Sequence, residues 1–171
     1  KALEQKLAAA ATPGAQDVAT ITALVNQAVS QTRRLARGLF PVELEANGLM
    51  SALDLLACNV RELFGVDCGF HCSDTVLVYD KDAAANLYRI AQEAVNNAIK
   101  HGRARRIQIR LETGETAPRL EVRDDGIGIA RTARENQTGM GLHIMEYRAR
   151  MIGATLEIRR GEQGGTVVTV R

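Results

Sequence analysis

Glu93 and Asn97 stand four residues apart in the stretch QEAVNNAIKH, residues 92–101. If the stretch is a helix, that spacing stacks their side chains one above the other on a single face. A carboxylate and an amide oxygen so placed can hold a magnesium ion together with water, or orient an attacking group. Lys100 and His101, one turn on, can meet phosphate oxygens. Taken alone, the stretch reads more readily as a surface helix with ordinary polar residues, turning Ala94, Val95, Ala98 and Ile99 inward.

Two further stretches carry chemistry. In LEVRDDGIGIA, residues 120–130, a strand-like run ends in acidic residues and passes at once into Gly126-x-Gly128. Glycines there permit positive φ and close approach of backbone to a ligand. Asp124 can accept a hydrogen bond from an exocyclic amino group such as that of adenine, because an ionised carboxylate only accepts. The competing reading is an ordinary Asp-Gly hairpin turn. In TGMGLHIM, residues 138–145, Gly139-x-Gly141 precedes an apolar-periodic helix whose free N-terminal amides suit a polyphosphate. Neither the strand-glycine-helix order of a dinucleotide fold nor the lysine of a P-loop is present, so a different nucleotide fold is indicated. The polar, aperiodic residues 129–138 would form a mobile lid over the ligand.

The elements that must position these residues are legible from periodicity. A helical pattern covers Leu49–Phe64 and ends at Gly65, and a longer one runs to about His101, with Asp80 or Asp82 as its cap and Gly102 at its end. Residues 66–72, 77–79, 106–112, 119–123, 155–159 and 166–170 read as strands, and 142–152 as a helix closed by Gly153. Helices segregated from a run of mostly hairpin-connected strands predict an α+β fold, a helical layer on one face of a mixed sheet. Before them, Val18, Ile21, Leu24, Val25, Ala28, Val29, Thr32, Leu35 and Leu39 recur at helical steps after the turn at Thr12-Pro13-Gly14. Residues 1–40 are therefore expected to hold two antiparallel helices joined at that turn, completing a bundle with a second copy, and Pro41 and Gly48 to bracket a linker over 41–48.

Composition narrows the class. With 46% hydrophobic and 25% charged residues the chain is an ordinary globular one, not disordered or fibrous. A net charge of +2 is too small to imply nucleic acid as the main partner. No apolar run approaches the roughly 20 residues of a membrane span. The three cysteines, Cys58, Cys68 and Cys72, fit free thiols in a reducing, cytoplasmic setting better than a disulfide framework or a zinc site. Because the sequence opens at Lys1 without a methionine, it is read as part of a longer protein, in which a membrane anchor elsewhere stays open.

Together, Glu-x-x-x-Asn on a helix, Asp-x-Gly-x-Gly after a strand, Gly-x-Gly before a helix and Gly164-Gly165-Thr166 opening the last strand are far more specific than apart. In order and spacing this set resembles the ATP-binding domain of sensor histidine kinases. The stretches QTRRLARGLFPVELEANGL and YRIAQEAVNNAIKHGRA resemble the branch related to nitrate and nitrite sensor kinases. The resemblance covers nearly the whole chain, with 1–40 as the end of the dimerisation and histidine-phosphotransfer hairpin and 49–171 as the ATP-binding catalytic domain, and implies a Bergerat-type sandwich, ATP and Mg2+ as cofactors, a cognate response regulator as partner, and a homodimer in the full-length protein.

It also implies site residues. Asn97 matches the magnesium-binding asparagine, and Glu93 the residue that acts as general base or orients the attacking histidine. Lys100 and His101 match positions near the phosphates, and Asp124 the reader of the adenine amino group. Gly126, Gly128, Gly139 and Gly141, with Leu142 after them, match the glycine boxes, and Thr166 the threonine beside adenine. One departure stands out: none of His71, His101 and His143 occupies a hairpin helix, so the phosphoacceptor histidine is expected upstream of Lys1. The alternative is a nucleotide-binding regulatory module or an anti-sigma-type serine kinase, for which the helical stretch at 1–40 has no evident use. A gyrase-like or MutL-like ATPase ranks third, since the chain lacks a transducer domain.

Overall fold

The computed structural model describes residues 48–114, 117–128 and 140–171. The chain divides into two units, Lys1–Pro41 and Val42–Arg171, and every described residue lies in the second. The hairpin expected over 1–40, the linker up to residue 47 and the lid at 129–138 fall outside the described residues.

Helix α1 spans Gly48–Phe64 and buries Leu49, Leu53, Leu56, Ala57 and Val60, spaced by three or four residues along one stripe. Strand β1, Asp67–Cys72, follows it directly. Helix α2, Lys81–Lys100, starts at Asp80, whose side chain accepts from the backbone N–H groups of Asp82 and Ala83 at 2.8 and 3.2 Å. Of the two aspartates considered for the cap, Asp80 fills the role, satisfying two of the four free amides of the first turn. Strands β2, Arg106–Thr113, and β3, Pro118–Asp124, form a hairpin; helix α3, Met140–Met151, then precedes β4, Leu156–Arg160, and β5, Thr166–Val170.

The strands join in one five-stranded sheet of order β1-β2-β3-β5-β4. Only β1 and β2 pair in parallel, and that pairing needs a long crossover, which α2 supplies. Along β2, Ile107, Ile109 and Leu111 are fully buried while Arg106, Gln108 and Arg110 face outward, the two-residue period of a half-buried strand. Their inward face meets Leu53, Ile90 and Val95 of the helices in a single core. Helix α1 packs on β1 and α2, and α2 on α3. The expected mixed sheet with a helical layer is the fold observed.

Residues 77–79 are a correction. Val76 and Val78 are buried and Leu77 and Tyr79 exposed, so the alternation is real, yet the segment pairs with no strand among the described residues. Two valines on one side of an extended segment suffice to anchor it to the core, and periodicity alone cannot report whether a hydrogen-bonded neighbour exists. The thiols sit at the α1–β1 end. Cys68 is fully buried, and burial pushes its thiol up to about 11, so it stays protonated at neutral pH and packs as a small apolar group. Arg61 donates to the Cys68 carbonyl and, at 3.0 Å, to the Cys58 sulfur, tying the helix to the strand.

Candidate functional site

A cavity of about 400 Å³ opens between the second half of α2, the end of β3, the start of α3 and the strands β4 and β5. That is within the range of small-molecule sites, about 300–1,000 Å³. Its apolar wall comes from Ala94, Ala98, Val122, Leu142, Met145, Ile158 and Val168, and its polar groups from Glu93, Asn96, Asn97, Lys100, His101, Asp124 and Thr166. One helix supplies most of the polar set because its buried stripe, Leu87, Ile90, Ala91, Ala94 and Ala98, turns Glu93 and Asn97 to the edge of the core, where both are half-buried.

Asp124 is one of two buried polar residues in the described part of the chain, with 7% of its surface exposed. At that burial a carboxylate needs hydrogen-bond partners. Its Oδ1 accepts from the Gly126 N–H at 2.8 Å. Asp124 lines the cavity together with the apolar Val122, Ile158 and Val168, and a carboxylate with acceptor capacity beyond that one bond suits a flat ring bearing an amino donor.

Backbone crowds tightly around this carboxylate. A Cβ on Gly165 would lie 1.8 Å from the Asp124 carbonyl oxygen, and one on Gly126 would lie 2.2 Å from the Gly102 carbonyl oxygen. The Ile127 N–H donates to that same Gly102 oxygen at 2.8 Å. Beside Asp124, Asp125 points the other way: its Oδ1 accepts from the backbone N–H groups of Arg105 and Arg106 at 2.8 and 2.9 Å. The Arg106 amide, and after it the Arg105 amide, hold the Asp125 carboxyl below its ordinary range by stabilising the charged form.

On the opposite wall, the first turn of α3 lies against the acidic residue of α2. A Cβ on Gly141 would fall 2.2 Å from Glu93 Oε1 and 3.5 Å from Asn97 Nδ2. The helix begins at Met140, so Gly141 sits within its first turn and not before it. The glycine's lack of a side chain thus makes room for Glu93 as well as for any ligand.

Of the residues singled out in the sequence, Glu93, Asn97, Lys100, His101, Asp124, Gly128, Gly141, Leu142 and Thr166 all line this one cavity. Gly126 packs behind it, against Gly102 and Asp124. Gly139 lies outside the described residues. Sequence reasoning passed over Asn96, the wall formed by Val122, Met145, Ile158 and Val168, and the two flanking contacts made by Asp125 and Gly165. The Gly164-Gly165 pair was visible as the opening of a strand; its place against Asp124 depends on the antiparallel register Arg123↔Val167, which no local pattern carries.

Residues 82–171, more than half of the chain, match the family model of the histidine kinase-, DNA gyrase B-, and HSP90-like ATPases. The oxygen sensor histidine kinase NreB of Staphylococcus carnosus (strain TM300) is 27% identical over 150 residues, which cover 88% of this chain and 43% of that protein. The nitrate/nitrite sensor protein NarQ of Escherichia coli (strain K12) is 30% identical over 154 residues, 90% of this chain and 27% of that one. The chain therefore spans less than half the length of these curated relatives. Among solved structures, the ATP binding domain of PrrB from Mycobacterium tuberculosis matches with a TM-score of 0.61 at 21% identity, over 72% of this chain and 91% of that one, a likeness of fold. On the match of residues 82–171, which takes in every element from α2 to β5, the chain belongs to the histidine kinase-, DNA gyrase B- and HSP90-like ATPase family.

Proposed function

We propose that this chain is the catalytic ATP-binding part of a two-component sensor histidine kinase. The observation that carries the reading is the meeting, in one cavity, of a buried carboxylate in an apolar wall with a half-buried Glu93 and Asn97 on the facing helix. Asp124 would accept from the adenine amino group, with Thr166 and Leu142 beside the ring. Lys100 and His101, both exposed at the mouth, would meet phosphate oxygens. Asn97 would hold Mg2+ through its side-chain oxygen, and the ion, when bound, supplies charge neutralisation at the phosphates. Glu93 would orient the attacking histidine or take its proton.

In the whole protein the γ-phosphoryl group would pass to a histidine of a helical hairpin, and from there to an aspartate of a response regulator. The working unit would be a cytoplasmic homodimer. Little of this is covalent work by the ATP-binding part, since phosphoryl transfer rests mainly on positioning and charge stabilisation. Calorimetric titration of residues 1–171 with ATP, with and without magnesium, tests the reading. Saturable binding that weakens at least tenfold on Asp124→Asn and on omitting magnesium is the expected result, the scale of losing a hydrogen bond to a charged group. No binding at millimolar ATP would overturn it.

A further inference from the structure

Asp125 is exposed, lies just past the end of β3 and is not among the residues that line the cavity, yet its side chain and its N–H are both bonded to backbone. Oδ1 takes the amides of Arg105 and Arg106, and its own N–H donates to the Arg106 carbonyl at 3.2 Å. Three bonds therefore fix the end of β3 to the start of β2. What they fix is the segment by which α2 leaves the cavity. His101 and Gly102 line the cavity, Arg103 then takes a left-handed backbone with φ 51, and the Ala104 N–H returns to the Ala98 carbonyl at 3.1 Å. A non-glycine residue in that conformation is strained and persists only where its surroundings over-determine it. On the other side, the residues that follow Asp125 press into the same segment: Gly126 against the Gly102 carbonyl, and Ile127 N–H bonded to it.

We propose that Asp125 is a positioning residue for nucleotide binding, setting the distance between the Asp124 wall and the His101–Gly102 wall by clamping the backbone of residues 105 and 106. The proposal rests on the ATP-binding reading above. Asp124 and the end of α2 lie on different elements; besides the clamp, Ile127 N–H bonds to Gly102 and Asp125 N–H to Arg106, and the β2–β3 ladder begins only at Ile107↔Asp124, beyond the segment that leaves the helix. A clamp through one carboxylate oxygen can be kept by an amide oxygen, so asparagine preserves the geometry and alanine removes it.

The test uses the 171-residue chain and three substitutions, with ATP titrated calorimetrically and unfolding followed by urea. Asp125→Ala is expected to weaken ATP binding about tenfold, the scale of losing hydrogen bonds to a charged acceptor. Asp125→Asn is expected to stay within about twofold of the parent, and that rescue sets positioning apart from charge. Val60→Ala, buried in α1 away from the cavity, serves as the stability control: it should lower the urea midpoint while leaving ATP affinity unchanged. Unaltered ATP binding by Asp125→Ala would overturn the proposal alone, as would an equal loss of affinity in Val60→Ala, which would reduce the effect to general destabilisation. An unsubstituted chain that fails to bind ATP would overturn the ATP-binding reading itself and the proposal with it.

Discussion

Glycines do opposite jobs in two regions of this domain. Around the cavity they are places where a side chain cannot exist: Gly165, Gly126 and Gly102 each sit with backbone oxygen closer than 3 Å to where a Cβ would be. At the β1 end the position of a Cβ on Gly69 is open, with nothing within 4 Å, and the packing is done by leucines, valines and a buried thiol. One region is assembled by backbone approaching backbone and the other by side chains filling space. The first kind tolerates no added atom but leaves room for a ligand; the second tolerates change at its surface and leaves no room at all.

The contrast is broken most forcefully at Gly165. Its φ of +70 disfavours any other residue, and the atom that a methyl group would strike is the Asp124 carbonyl oxygen, which belongs to the strand and cannot swing away. Gly165→Ala is expected to cost about 4 kcal/mol, overpacking and backbone strain together. Because the displaced strand carries Asp124, ATP binding should be lost with the stability. Urea unfolding and calorimetry read both; a variant as stable as the parent would mean that this wall yields, and the distinction between the two regions would collapse.

Gly141 sharpens the comparison, because there the obstacle is the tip of a side chain. A methyl group would meet Glu93 Oε1, which can rotate aside, and alanine is the better helix former, by less in a first turn than the roughly 1 kcal/mol of a helix interior. Gly141→Ala should therefore leave the urea midpoint unchanged or raised, while moving the Glu93 carboxylate from its place. If the proposed kinase reading holds and Glu93 positions or deprotonates the attacking histidine, phosphorylation by the full-length protein is expected to fall about 100-fold, the lower end of what a positioned general base contributes. A folded variant with undiminished phosphorylation would count against the role proposed for Glu93.

The same contrast explains what was legible in the sequence. The side-chain-packed parts announce themselves through periodicity: the α1 stripe Leu49, Leu53, Val60 and the alternation of Ile107, Ile109 and Leu111 are local patterns with one structural solution. The cap of α2 was narrowed to Asp80 or Asp82, and the structure gives it to Asp80. Most of the polar residues gathered in the cavity could be picked out too, because Glu-x-x-x-Asn and Asp-x-Gly-x-Gly carry their spacing within a few residues. What stayed hidden is non-local. That Gly165 abuts Asp124 follows from the register of β3 on β5, and that Asp125 reaches Arg105 and Arg106 follows from the pairing of β2 with β3. The run at 77–79, which pairs with no strand among the described residues, failed for the related reason that alternation reports burial and says nothing of a neighbouring strand.

The smallest effect is the most discriminating for the side-chain-packed region. Gly69 lies in the middle of β1, opposite Gln108 of β2, with a backbone that is not left-handed and open space where a Cβ would project. Glycine there carries the full entropy cost of ordering a flexible residue and returns no packing, so Gly69→Ala is expected to stabilise the domain by about 0.5–1 kcal/mol. The gain should appear as a higher urea midpoint at an unchanged slope, since little new surface is involved. ATP affinity should not move, because no atom of β1 lines the cavity. A loss of stability at this open position would mean that β1, too, depends on close backbone approach, and glycine would then have a single role throughout the sheet.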